Sequence, residues 1–230
     1  MCGIAGILSK THSTRIIPNL LSILTNLLDR GIDGTGIGYI DSTGKIVINK
    51  GDIIATKFAE EHKEVVDCNI AIGHVRRPTV GEISDYNSHP LMDCHENIAV
   101  IHNGTIKNYL PLKELLESEG HIFKGTVDSE VIPHLIEKYY EDHRDLEQSI
   151  LKTVDHLEGY YTFSVISNFE PSNVYLYRHH FPLVLLKDDY SYYFSSERKP
   201  IAKLLNKSFR ARHLKQDELK ILSLEYLESY

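Results

Sequence analysis

The sequence has no tryptophan, only two methionines and three cysteines, and no apolar run long enough to span a bilayer. The three cysteines, Cys2, Cys68 and Cys94, cannot all pair with one another, and their spacing matches no zinc motif. The N-terminus lacks the basic segment and the apolar core of a signal peptide. These absences predict a reduced, cytoplasmic protein without a membrane span.

The charge pattern argues against a nucleic-acid partner. Lysine and arginine number 25 against 32 acidic residues, which gives a net charge of −7 without any basic cluster. The thirteen histidines are scattered. A metal group of Cys94 and His95 with His89 is conceivable, but no second close pair of ligands supports it. The sequence therefore predicts neither a metal site nor a cofactor.

The composition is that of a globular protein, with 42% hydrophobic and 25% charged residues, and the length suffices for a sizeable core. No repeat or low-complexity linker divides the chain, so we predict a single α+β domain over residues 1–230. Apolar periodicity predicts helices over 14–28, 53–67, 109–119, 129–141, 145–158 and 198–205. It predicts strands over 3–8, 36–41, 45–49, 69–75 and 98–102, a C-terminal meander of 160–167, 173–179, 183–188 and 192–196, and a last strand over 217–224.

The second residue is the first candidate for chemistry. The chain opens Met1-Cys2-Gly3, and removal of Met1 would leave Cys2 with a free α-amino group. The pKa of such an amine is about 7.7–8.0, so a useful fraction is a neutral base near pH 7. One residue would then supply both a thiol nucleophile and its base. From position alone, Cys2 could equally be an incidental cysteine before a buried strand.

Further polar clusters follow apolar strands. Arg76 could offer two parallel hydrogen bonds to a carboxylate, or be an ordinary surface arginine. The Asn103 amide and the adjacent Gly104 N–H could stabilise an oxyanion, although Asn-Gly is also the commonest hairpin-turn signal.

Three charged positions complete the candidates. Asp128 opens a helix and is either a helix cap or a receptor for an ammonium group. Arg30 and Asp33 lie in a glycine-rich turn and would form a salt-bridged turn in the simplest interpretation. Together these candidate residues would suit a substrate that is an α-amino acid with a reactive side-chain carbonyl. Both glutamine and asparagine fit that description.

Six motifs carry a family resemblance. In chain order they are MCGIAGI, DRGIDGTG, GHVRRPT, NSHPL, HNGTIKNY and TVDSEV, and they resemble the class II glutamine amidotransferase domain, a branch of the N-terminal nucleophile hydrolases. They look most like the glutaminase domain of glucosamine-6-phosphate synthase, and GHVR is also similar to the amidophosphoribosyltransferase branch. The resemblance covers the whole chain and implies a four-layer αββα sandwich with two antiparallel sheets.

The resemblance implies hydrolysis of L-glutamine to glutamate and ammonia. Cys2 would attack the amide after loss of Met1, and Asn103 with the Gly104 N–H would hold the oxyanion. Arg76 would bind the α-carboxylate and Asp128 the α-ammonium group.

The resemblance also implies supporting residues. Thr79 would lie beside the substrate carboxylate, and Arg30 and Asp33 would order the wall around Cys2. Three histidines in the motifs are expected to be structural, namely His74, His89 and His102.

The chain departs from the glucosamine-synthase pattern at two positions. Arg77 and Val80 stand where that pattern has tryptophan and histidine, so we expect coupling to the ammonia acceptor to differ. The chain ends where a glutaminase domain would end, and ammonia would pass to a separate synthase subunit. A homo-oligomer is compatible with the sequence.

Two other functions stay open. One is a regulatory or interaction module that kept the fold, which retention of Met1 would favour. The other is an N-terminal nucleophile hydrolase acting on a different amide, against which the Arg76 and Asp128 pair argues.

Overall fold

The computed structural model describes residues 1–63, 65–77, 82 and 84–228. Two antiparallel sheets form its centre. The strands of the larger sheet are β1 (Gly3–Ser13), β2 (Thr35–Ile40), β3 (Ile46–Gly51), β4 (Cys68–Val75), β9 (Val184–Lys187), β10 (Ser191–Ser195) and β11 (Arg212–His213). Their order across the sheet is β11-β9-β10-β1-β4-β2-β3.

The strands of the smaller sheet are β5 (Leu91–Met92), β6 (Ile98–Ile106), β7 (Gly159–Ser167), β8 (Asn173–Arg178) and β12 (Glu218–Ser223). Their order across the sheet is β12-β8-β7-β6-β5. The helices are α1 (Ile16–Thr25), α2 (Ala55–Glu61), α3 (Tyr109–Ser118), α4 (Val131–His143), α5 (Leu146–Val154), α6 (Arg198–Leu204) and α7 (Glu225–Glu228). Short 3-10 turns span Leu28–Arg30, Asp85–Asn87 and Asp128–Glu130.

The sheets lie face to face between helical layers because both faces of the central strands are apolar. In β1, Ile4 and Leu8 enter the core between the two sheets, whereas Ala5 and Ile7 pack with α1, α2 and α6. On the far side, α3, α4 and α5 cover the smaller sheet. Strand side chains alternate between faces, so a continuous apolar run signals a strand buried on both sides. The predicted αββα sandwich is confirmed.

Two parts of the chain differ from the prediction. Asn103 and Gly104 lie inside β6, where they pair with Thr162 and Tyr161 of β7, so the turn interpretation of Asn-Gly is wrong. The C-terminal strands do not form one meander, because β7 and β8 belong to the smaller sheet and β9 and β10 to the larger. Sequence periodicity reports strands but not which of two stacked sheets each strand joins.

Helix bounds shift by a few residues. The helix predicted over 14–28 begins at Ile16 and ends at Thr25. The one predicted over 53–67 ends at Glu61. Within the described ranges, no helix combines the length and the apolar content needed to cross a membrane.

Candidate active site

Strand register brings three of the predicted segments together where the neighbouring strands β1, β4 and β2 of the larger sheet begin or end. Gly3 of β1 pairs with Val75 of β4, which sets Cys2 beside Arg76. On the other side of β4, the Arg76 N–H donates to the Gly34 carbonyl at 2.7 Å and the Asp33 N–H donates to the Arg76 carbonyl at 3.1 Å. The start of the chain, the end of β4 and the glycine-rich turn therefore meet.

The Cys2 backbone and thiol are both held. The Arg30 Nε donates to the Cys2 carbonyl at 3.1 Å, and the Arg30 guanidinium also pairs with Glu197 at 3.2 Å. The Arg77 N–H lies 3.4 Å from the Cys2 Sγ. Met1 is 59% exposed. Arg30 is thus positioned to order the wall around Cys2.

The surroundings of the Cys2 thiol act in opposite directions on its pKa. Burial, the largest influence, raises the pKa of the thiol, and the carboxylate of Asp128 adds to this. The Arg77 N–H, the N-terminal amine and the Arg76 guanidinium lower the pKa of the thiol but do not cancel the effect of burial. The thiol is therefore protonated at neutral pH, and its reaction requires a base.

The Asn103 side chain is buried on β6, in the facing sheet, and both its Oδ1 and Nδ2 lack hydrogen-bond partners within the part of the chain that the structure describes. A buried amide without partners is destabilising unless a ligand completes it. The neighbouring Gly104 has φ +150°, and a Cβ there would lie 2.0 Å from the Tyr160 carbonyl oxygen. Only glycine fits this position.

Two buried charges of opposite sign accompany Cys2. The Arg76 side chain is buried, and its Nη1 donates to the Glu82 carbonyl at 2.9 Å. The Asp128 Oδ2 accepts from the Ile106 N–H at 2.7 Å. Burial lowers the pKa of Arg76, whereas Cys2, Asp33 and Asp128 raise it, so these groups share one electrostatic environment. A zwitterionic head group is complementary to such a pair.

A hydrogen-bonded chain of histidines connects the two sheets to Asp128. The His74 Nε2 lies 3.0 Å from the His102 carbonyl oxygen, and the His102 Nδ1 lies 2.7 Å from the Ser129 hydroxyl. That hydroxyl donates to the Asp128 Oδ1 at 3.3 Å. The sequence did not reveal this connection, since it depends on contacts between segments that are far apart in the chain.

The three motif histidines share one character. Burial lowers the pKa of His74 to about 3 and that of His102 to about 4, and it holds the pKa of His89 well below the usual value. All three rings are therefore neutral at pH 7. His89 stacks on His74 with ring centroids 4.2 Å apart.

Thr79 and Val80 lie outside the described residues. The residues considered for a metal are not brought together as a set, because His89 stacks on His74 whereas Cys94 and His95 contact Glu137. Among the residues that the structure describes, the groups with metal-ligand spacing do not include Cys2, Arg76 or Asp128.

Known proteins resemble this chain in sequence and in fold. A family model described as "Glutamine amidotransferase domain" matches residues 75–203, more than half of the chain. The chain belongs to this family. The glutamine–fructose-6-phosphate aminotransferase [isomerizing] of Methanothermobacter thermautotrophicus is 38% identical over 222 residues, which cover 96% of this chain and 37% of the relative.

Solved amidotransferases have the same fold. Glutamine phosphoribosylpyrophosphate amidotransferase from B. subtilis, complexed with ADP and GMP, is 25% identical with a TM-score of 0.75, and the match covers 97% of this chain and 49% of that chain. A second structure, the allosteric regulatory enzyme of purine biosynthesis, is 27% identical with a TM-score of 0.80 over the same shares. These matches confirm the resemblance to class II amidotransferases. The chain spans less than two fifths of the length of the curated relatives it matches.

Proposed function

We propose that this amidotransferase domain hydrolyses L-glutamine to glutamate and ammonia through a thioester on Cys2. The observation that carries the proposal is the strand register that sets Cys2 beside the buried Arg76, with the buried Asp128 carboxylate acting electrostatically on both groups. A nucleophile and two receptors for an amino-acid head group in one place suit a reaction on the side chain of a free amino acid.

The head group would bind first. The Arg76 guanidinium would hold the α-carboxylate, and Asp128 would accept hydrogen bonds from the α-ammonium group. Ile106 and Ser129 already fix the orientation of the Asp128 carboxylate. Thr79 is proposed as a further contact to the substrate carboxylate.

Acylation follows removal of Met1. The neutral α-amine of Cys2 takes the thiol proton, and the sulfur attacks the carbonyl carbon of the side-chain amide. The carbonyl oxygen becomes an oxyanion, which the Asn103 amide and the Gly104 N–H stabilise. The intermediate collapses, the C–N bond breaks, and the ammonium group of Cys2 gives its proton to the departing nitrogen, which leaves as ammonia.

Water then attacks the thioester carbonyl, with the Cys2 amine again as base. The C–S bond breaks, the thiolate recovers its proton, and glutamate leaves. Neither step requires a metal or an organic cofactor, since the nucleophile, the base and the oxyanion donors all come from the chain.

We further propose that residues 1–230 form one glutaminase domain whose ammonia passes to a synthase active site, on the same or on a separate chain. The names of the curated relatives support an acceptor of this kind. Arg77, which stands where the related pattern has tryptophan, donates from its Nη2 to the Asp29 carbonyl at 3.3 Å. This contact holds Arg77 against the wall of the site. We propose that Arg77 makes the coupling to the ammonia acceptor different from the coupling in glucosamine synthases.

The test combines intact mass with product release. Intact mass identifies the fraction that lacks Met1, and an enzyme-coupled assay then follows glutamate formation from L-glutamine and from L-asparagine. We expect glutamate from the Met1-free protein, none from Cys2→Ala, and full activity from Cys68→Ala, a control cysteine outside the site.

Absence of glutamate from the Met1-free protein at saturating glutamine would contradict the proposal. If calorimetry still detected glutamine binding in that case, the chain would be a regulatory module. Faster turnover of another amide would instead identify a different N-terminal nucleophile hydrolase.

A further inference from the structure

A second cluster of reactive side chains lies outside the candidate active site. It consists of Cys94 after β5, His121 after α3, and His134 and Glu137 on α4. The Cys94 Sγ lies 3.4 Å from the His121 Nδ1 and 3.3 Å from the His134 Nδ1. The two Nδ1 atoms are 3.3 Å apart, and the Glu137 Oε2 lies 3.0 Å from the His121 Nδ1 and 3.8 Å from that of His134.

These distances are those of a coordination tetrahedron. A regular tetrahedron with edges of about 3.4 Å has its centre about 2.1 Å from each corner, which matches zinc–nitrogen and zinc–oxygen bonds, and zinc–sulfur bonds are only slightly longer. All four ligand atoms lie within 4.8 Å of one another. A zinc ion at the centre would therefore lie within reach of all four atoms.

Hydrogen bonds alone satisfy this arrangement poorly. Two imidazole nitrogens, a thiol sulfur and a carboxylate oxygen lie around one point, and few protons are available to share among them. The His134 ring is 1% exposed and the Glu137 side chain 6% exposed, so water cannot substitute freely. A cation would satisfy all four atoms together.

The surrounding groups orient two of the four ligands, Cys94 and Glu137. The Ile122 N–H lies 3.4 Å from the Cys94 Sγ, and the Cys94 N–H donates to the Glu137 Oε2 at 3.3 Å. The other carboxylate oxygen of Glu137 lies 2.6 Å from the His95 Nδ1. The other ring nitrogen of His134, Nε2, lies 3.9 Å from the Glu130 carboxylate, which is beyond hydrogen-bond distance.

We propose that Cys94, His121, His134 and Glu137 bind one structural Zn²⁺ ion. Thiolate and imidazole ligands in a tetrahedral arrangement favour zinc over magnesium or calcium, which prefer oxygen. All four positions are filled by protein, so the ion has no open site for catalysis. On binding, the Cys94 thiol releases its proton to solvent.

The ion would join the β5–β6 connection and the segment after α3 to helix α4. The same segment is held by the Glu130 carboxylate, which accepts from the Lys124 and Gly125 N–H groups at 2.7 and 2.8 Å. The proposed role is therefore to stabilise this part of the fold, and it does not depend on the glutaminase activity.

The test measures metal binding by the full chain. Metal-free protein is prepared with a chelator, its fold is checked by circular dichroism, and Zn²⁺ is titrated against a chromophoric competitor. We expect one equivalent to bind, the affinity to fall more than about 100-fold in Cys94→Ser and His134→Gln, and no change in the controls Cys68→Ala and His143→Gln. At a free zinc concentration 100 times Kd, we expect Tm to rise by about 5–10 °C.

Cobalt binding to the wild-type protein provides a second test, which does not require a ligand variant to fold. Co²⁺ in the wild-type protein should show the visible spectrum of tetrahedral coordination and a thiolate charge-transfer band. Failure of the wild-type protein to bind one equivalent of Zn²⁺, zinc binding that survives in folded Cys94→Ser, or an octahedral cobalt spectrum would each overturn the proposal.

Discussion

At the scale of single residues, the Cys2 thiol combines a strong nucleophile with surroundings that keep it protonated. Burial raises the pKa of the thiol more than Arg76 and the Arg77 N–H lower it. A neutral amine next to the sulfur resolves this conflict, because it can take the proton during the reaction. In the proposed mechanism, removal of Met1 therefore decides whether the site is active.

Asn103 provides the first prediction. Its buried amide has no hydrogen-bond partner in the described part of the chain, and the developing oxyanion would be its natural acceptor. We expect Asn103→Ala to lower kcat for glutamine by about 10²–10³-fold with little change in KM, since the interaction exists mainly in the transition state. Steady-state glutamate release measures both constants. An equal loss in the exposed control Asn206→Ala, or a change confined to KM, would contradict this role.

At the scale of structural elements, the contact between the glycine-rich turn and the end of β4 positions Arg76. A Cβ at Gly31 would lie 2.4 Å from the Arg76 carbonyl oxygen, whereas a Cβ at Gly51 would meet its neighbours at 3.7 Å or more. We expect Gly31→Ala to destabilise the protein by about 1–3 kcal/mol and to raise KM for glutamine, because Arg76 must shift. Gly51→Ala is the matched control, with little effect on either quantity. Urea unfolding measures the free energy of unfolding of both variants, and steady-state kinetics measure their KM for glutamine. Equal values of both quantities in Gly31→Ala and Gly51→Ala would show that the contact does not position Arg76.

The buried motif histidines His74, His89 and His102 predict that the folding stability of the protein falls in acid. The pKa of His102 is about 4 in the folded protein, below the value of about 6.5 expected when the chain is unfolded. Between these values only the unfolded state binds the proton, so stability is present above pH 6.5 and falls as the pH drops towards 4. Each such histidine contributes a slope of about 1.4 kcal/mol per pH unit in that window.

Urea unfolding at several pH values tests whether the buried His102 ring contributes this pH dependence of stability. His102→Asn should reduce the slope of stability against pH by about the contribution of one histidine, while the exposed control His143→Gln should leave it unchanged. An unchanged slope in His102→Asn would show that this ring does not remain neutral in the fold.

The sequence predicted the individual helices and strands better than their arrangement in the fold. The strand at 69–75 and the helices near 129–141 and 145–158 were predictable because their apolar spacing reflects which faces they bury. The placement of Asn103 inside β6 was not, because Asn-Gly suits a turn and only pairing with β7 overrides that local preference. The cluster around Cys94 escaped prediction since its partners His121 and His134 are distant in the chain and follow no short motif.

At the scale of the whole molecule, stability depends on the apolar layer between the two sheets. Leu176 of β8 is fully buried in that layer, whereas Leu110 of α3 is 56% exposed. We expect Leu176→Ala to cost about 2–5 kcal/mol of the free energy of unfolding, through lost burial and a residual cavity. Leu110→Ala should cost less than about 0.5 kcal/mol. Chemical denaturation measures both, and similar costs for the two variants would contradict the four-layer packing.

The architecture also explains why the site lies where it does. The larger sheet supplies Cys2 and Arg76 from the adjacent ends of β1 and β4. The smaller sheet supplies Asn103 from β6, and Asp128 follows from the 3-10 turn before α4. The His74 ring crosses between the sheets to the carbonyl of His102, next to Asn103. The proposed nucleophile and oxyanion donor thus come from separate sheets, and the hydrogen bond between His74 and His102 is one of the links between those sheets.

Covalent labelling of the Met1-free protein is the most direct test of the central claim, that Cys2 is the nucleophile of a glutamine site. The reagent is a glutamine analogue with an electrophilic ketone in place of the side-chain amide, and intact mass with peptide mapping locates the product. We predict one adduct per chain, on Cys2, suppressed by excess L-glutamine and formed more slowly in Asp128→Asn. Labelling of Cys68 or Cys94 with Cys2 unmodified, or labelling that glutamine does not suppress, would contradict the account.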